Sequence, residues 1–173
     1  MDRPVLQSKW DVTDAFHRCN IKPSDVGAFA YVVPPLPSDT SFLLCINLVL
    51  PMGWVNSPDF FCAASETVVD ITNDKITSSP PDLVAYGPTK ALYSTAPHPQ
   101  ASEARLQCAD VYMDDLICLA QGSPEQQQRV TEHAIRSIKE VFPSLPNETK
   151  NSVSVVKALK GDRNWAVSKE ILG

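Results

Sequence analysis

The chain has 173 residues, 15 Lys+Arg against 20 Asp+Glu, a formal net charge of −5 and 43% hydrophobic residues, which suits one packed domain and excludes a disordered chain. No apolar run approaches the ~18 residues a membrane helix needs, and Met1-Asp2-Arg3-Pro4 is not followed by the apolar stretch of a secretion signal, so an intracellular protein (cytoplasm or nucleus) with no membrane partner is expected. An acidic chain also lacks the overall basic footprint of a nucleic-acid binder, although residues 123–173 carry 8 bases against 6 acids.

In chain order, Lys9–Val12 reads as a short strand, after which Thr13 or Asp14 caps a short helix through Phe16 and Arg18. Ala28–Val33 and Ser41–Leu50 are β-branched and aromatic runs on either side of Pro34-Pro35-Leu36-Pro37, the pattern of a hairpin with a stiffened loop. Pro51-Met52-Gly53 breaks the chain. Ser57-Pro58 then opens a helix over 57–73, with Ser57 as N-cap and Phe60, Phe61, Ala64, Val68 and Ile71 at helical spacing. Residues 75–105 hold 5 of the 15 prolines and read as a long insertion loop. Ser123-Pro124 opens a second helix, ending near Phe142, with Gln126 placed for a capping box and an apolar stripe at Val130, Ala134, Ile138, Val141 and Phe142. The tail, Ser152–Val156 and Asn164–Leu172, reads as two strands around Lys160-Gly161-Asp162. The five cysteines are odd in number and form no C-x-x-C pair, so reduced thiols are expected.

The chemistry concentrates in Val111-Tyr112-Met113-Asp114-Asp115-Leu116-Ile117-Cys118-Leu119. Adjacent carboxylates would be costly inside a covered strand, so the simplest arrangement is a hairpin with Asp114-Asp115 at its tip. Two acids so close repel, and a divalent cation such as magnesium removes the conflict. An isolated Asp-Asp pair is more often an ordinary surface turn; here apolar strands on both sides favour the hairpin site. Asp11, at the end of the first strand, is a third acid that only folding could bring to the other two, as a two-metal phosphoryl-transfer site requires. Asp14 reads as a helix cap.

These segments resemble the reverse transcriptases, and among them those of retrotransposons with long terminal repeats. Tyr112-Met113-Asp114-Asp115 is similar to their Y-x-D-D box, and Asp11-Val12-Thr13-Asp14-Ala15-Phe16 to their first catalytic motif. Leu50-Pro51-Met52-Gly53 through Ser57-Pro58 resembles the motif between them, and Glu170-Ile171-Leu172-Gly173 the segment that leads to the primer grip. The resemblance implies an α+β polymerase palm over residues 1–173, a small antiparallel sheet with two helices packed on one face, and an RNA-directed DNA polymerase whose fingers, thumb and RNase H parts lie largely outside this chain.

It further implies that Asp11, Asp114 and Asp115 are catalytic and, with the Val12 carbonyl, hold two Mg2+ ions, Mn2+ being able to substitute. Phe16, Pro51, Met52 and Gly53 would bind the incoming dNTP, Phe16 rejecting a 2′-hydroxyl. Tyr112 and Met113 would meet a DNA primer on its RNA template. Lys157 and Lys160 both fit the late general-acid lysine. For Phe16 and Met52, plain core packing explains the residue equally well from composition. The alternative is a truncated, inactive retroelement remnant or interaction module that keeps only the fold.

Overall fold

In the computed structural model, which describes residues 4–38, 41–78, 106–144 and 151–170, strand β1 (Leu6–Asp11) is followed by β2 (Ala30–Val33), β3 (Leu43–Ile46), helix α1 (Ser57–Thr77), β4 (Gln107–Tyr112), β5 (Asp115–Ala120) and helix α2 (Pro124–Val141). The architecture is α+β with small antiparallel sheets. Two compact units are distinguished: Asp14–Phe61 forms one, and the described residues up to Thr13 and from Cys62 onward form the other.

The larger unit is built on a three-stranded antiparallel sheet in the order β1-β5-β4. Side chains alternate across a sheet with period two. Ser8 and Trp10 of β1, Leu116, Cys118 and Ala120 of β5, and Gln107 and Ala109 of β4 share one face, and all are buried. Helix α2 covers that face with Val130, Ala134 and Ile138, the stripe expected from the sequence, and Phe142 closes its end. Its start is also as expected: Gln126 Oε1 accepts from the Ser123 N–H at 2.8 Å, one half of a capping box. A Cβ at Gly122 would lie 1.9 Å from that same Oε1, so a side chain there would push the Gln126 amide out of the cap.

Helix α1 runs four residues beyond the expected end, through Thr77, so residues 75–77 are helical and not loop; the remainder of the expected 75–105 insertion is outside the described residues, except Ser78. Within the larger unit α1 buries Ser65, Val68, Thr72 and Ile76. Ser65 and Thr72 are tolerated inside because each hydroxyl donates to its own helix backbone, at Cys62 and Val68. Helix α1 meets the sheet at the β4 edge through Asn73. Its amide accepts from the Ala109 N–H at 2.8 Å and donates to the Ala109 carbonyl at 3.0 Å, pairing an edge residue that β5 cannot reach. Lys75 ties α1 to α2 by an ion pair with Glu140 at 2.6 Å.

The tail corrects the two-strand expectation. Single antiparallel bridges, Val12 to Val153 and Gln7 to Ala166, lie along the free edge of β1. Between them the chain is helical, Val155–Lys157 continuing as Ala158–Asp162 with Gly161 at φ 109°. Ser154 opens that turn by accepting from the Lys157 N–H at 3.4 Å.

The smaller unit pairs β2 with β3 antiparallel, Ala30 opposite Ile46 and Val33 opposite Leu43, which is the expected hairpin. Residues Val26–Phe29, expected in part as strand, form a 3-10 turn. Phe29 packs edge-on against Trp54 at 4.8 Å, and Trp54 stacks on Phe60 at 5.6 Å, a half-buried aromatic cluster in a unit with few buried aliphatics. Ser57 does not cap α1 as expected. It is the helix's first residue, buried, and its hydroxyl donates to the Pro51 carbonyl at 2.8 Å. Among the described residues no helix is long and apolar enough to cross a membrane.

Candidate metal centre

Asp11 is the last residue of β1 and Asp115 the first of β5, and the register sets them directly opposite each other. Directly opposed side chains share a face with Cβ atoms ~5 Å apart. Lys9, two residues before Asp11, stands on that same face, away from α2. The two-residue turn Met113-Asp114 joins β4 to β5 and brings Asp114 alongside, so the expected hairpin with the acids at its tip is present. Met113 takes a left-handed conformation, φ 56°, in a turn where glycine is usual. One carboxylate oxygen from each of Asp11, Asp114 and Asp115 lies within 4.8 Å of the others.

The electrostatics are those of an acid cluster held out of water. The Asp11 and Asp115 side chains are 8% and 14% exposed. Burial raises the pKa of both, against the pull of the nearby lysines, and the mutual repulsion of the three acids adds to the rise. Lys157 Nζ sits 2.5 Å from Asp11 Oδ1, and that bond raises the lysine's own pKa. Lys9 Nζ is 3.5 Å from Asp115 Oδ2 and 3.8 Å from Asp162. Asp115 Oδ1 is buried with no hydrogen-bond partner. The Asp114 side chain makes no hydrogen bond or ion pair among the described residues.

An all-oxygen donor set of three carboxylates, one of them with a buried oxygen that nothing satisfies, fits a hard divalent cation such as Mg2+ or Mn2+. Val12 lies beside the same acids. Its N–H donates to the Asp114 carbonyl at 3.4 Å, while its neighbours Asp11 and Thr13 bond to the tail at Ser154 and Ser152.

Of the two late lysines, Lys157 reaches the acids; Lys160 is exposed and makes no ion pair among the described residues. Lys9 and Asp162 join the acids without a sequence motif of their own. Lys9 is legible in principle, since a residue two before Asp11 on a strand must share its face. Asp162 is not, because the sequence pattern sets it in a turn between two tail strands, and only the helical tail brings it to Lys9. Tyr112 is exposed at the end of β4, and Met113 Sδ lies 3.5 Å from Cys62 Sγ.

Phe16, Pro51, Met52 and Gly53 all belong to the smaller unit. Phe16 packs on Phe61 with ring centroids 5.1 Å apart. Pro51 anchors Ser57, Met52 is exposed, and Gly53 holds φ 94°, a turn conformation that side chains rarely adopt. Asp14 stands before the 3-10 turn Ala15–Arg18 at φ 56°; its carbonyl accepts from the His17 N–H, but its side chain makes no capping bond, which corrects the cap expected there. Glu170 is exposed, and Ile171, Leu172 and Gly173 lie outside the described residues. No protein-family model matches the chain, and no curated protein does.

Proposed function

We propose that this chain is the palm of an RNA-directed DNA polymerase from a retroelement with long terminal repeats, joining a dNTP to a primer 3′-hydroxyl on an RNA template. The convergence of Asp11, Asp114 and Asp115 from segments 103 residues apart, with Asp115 Oδ1 unsatisfied, carries this reading. Asp11, Asp114, Asp115 and the Val12 carbonyl would hold the divalent ions. When bound, such ions lower the pKa of the attacking hydroxyl and neutralise charge on the triphosphate and leaving pyrophosphate. The chain's own part is positional. The β1–β5 register fixes Asp11 against Asp115, the Met113 turn sets Asp114 beside them, and low exposure keeps competing water out. Lys157, whose Nζ bonds Asp11 in the cation-free cluster, would be released by the cations to donate a proton to a leaving oxygen. Tyr112 and Met113 would contact the primer end, and Phe16, Pro51, Met52 and Gly53 the nucleotide.

Primer extension on an RNA template in Mg2+ tests the reading. Incorporation of dNTP that Asp114→Asn abolishes is the expected result, with rNTP rejected until Phe16 is made small. No incorporation above the Asp114→Asn background, even with fingers and thumb restored, would sink it and leave a chain that keeps the fold alone.

A further inference from the structure

The acid cluster carries two lysines of unlike character. Lys9 extends from the middle of β1, its side chain is 12% exposed, and it lies between Asp115 and Asp162. Its surroundings are tied down from several sides: Ser8 Oγ donates to the Arg163 carbonyl at 2.8 Å, and Lys169 Nζ to the Gly161 carbonyl at 2.7 Å. Lys157 extends from a single helical turn, its side chain is 46% exposed, and among the described residues its ammonium has one polar contact, Asp11 Oδ1. A lysine has several rotatable bonds and a compact charge, so one held by a single contact at a solvent-facing rim exchanges readily.

Resting on the metal reading above, we infer that Lys157 is a resident counter-ion that occupies Asp11 until a divalent cation displaces it, whereas Lys9 is a fixed positioning residue that engages Asp115 Oδ2 and leaves Oδ1 to the cation. A cation shared by the three acids would set a second positive charge beside the Lys157 ammonium, which already bonds Asp11 Oδ1. Like charges cannot both sit there without strong repulsion. Nothing comparable excludes Lys9, whose contact is with the other oxygen of Asp115 and which keeps Asp162 as a second partner. Only the Lys157 side chain needs to move, since the backbone beside it stays bonded to β1 through Ser154 and Asp11.

Lysine acetylation of the unaltered chain, read residue by residue by mass spectrometry with and without saturating Mn2+, tests this. Lys157 is expected to become several-fold more reactive with Mn2+, Lys9 to stay protected in both states, and exposed Lys160 to react equally in both. Calorimetric titration supplies the second arm. Lys157→Met, and Lys157→Gln as the variant that keeps a hydrogen-bond donor, should bind Mn2+ about fivefold more tightly than the parent chain. Mn2+ binding with Lys157 reactivity and affinity both unchanged would overturn the inference while leaving the metal reading in place. Mn2+ binding by neither the parent nor either variant would overturn both.

Discussion

Asp115 gives one oxygen to Lys9 and keeps the other buried without a partner. Its pKa and that of Asp11 are raised chiefly by burial. A folded-state value above the ordinary 3.8 means that the folded chain binds the proton more tightly than the unfolded one. The contribution to stability is therefore full below that value and is lost as pH rises through the folded pKa, so at neutral pH the cation-free cluster weakens the fold. Asp115→Asn removes a buried charge and its repulsion with Asp11 and Asp114, while Lys9 retains Asp162. The thermal midpoint of the chelator-treated variant should rise by about 2–4 °C, the equivalent of ~1 kcal/mol in a chain of this size, and should no longer respond to Mn2+. A lower midpoint would mean that the Lys9 contact outweighs the burial penalty.

At the scale of elements, Asn73 does for β4 what a fourth strand would do. Asn73→Leu leaves the Ala109 N–H and carbonyl unpaired at a covered edge, with an expected loss of about 1–3 kcal/mol in urea unfolding and faster hydrogen exchange at the Ala109 amide. An unchanged exchange rate would show that the amide is not what protects that edge. Elements whose signals were local were readable from the sequence. The Ser123–Gln126 cap, the α2 stripe and the β4–β5 hairpin all follow from spacing within a few residues. What escaped depended on distant partners. The β-branched residues Val153, Val155 and Val156 favour strand, yet only a single bridge to Val12 is available, and Ser154 turns the chain into a helix instead. Ser57 has a helix cap's sequence context, but the Pro51 carbonyl claims its hydroxyl. Phe60, placed by spacing on the buried stripe of α1, is exposed on one side and stacks on Trp54, while Ser65 and Thr72 take interior positions by bonding their own helix.

For the molecule as a whole, His133 on α2 works against stability in mild acid. Burial lowers its pKa below the ordinary 6.5, and Arg136, Lys75 and Arg129 add to that against Glu132. A folded value depressed in this way gives stability that is full above 6.5 and lost as pH falls towards the folded value. The urea midpoint should fall between pH 7.5 and 5.5, and His133→Gln should flatten that fall; equal slopes in the two proteins would place the cause elsewhere. The net charge of −5, read at first as a bar to nucleic acid, includes three acids gathered at one site. Whether the sheet holds these acids for catalysis or merely inherits them has a signature in descent. A carboxylate that weakens the fold when no cation is present is kept only where the cation is used. On the polymerase reading proposed above, relatives of this sequence that have lost Asp11 or Asp114 should replace Asp115 by a neutral residue more often than its core neighbours Leu116 and Cys118, and the order of those losses would date the loss of metal use.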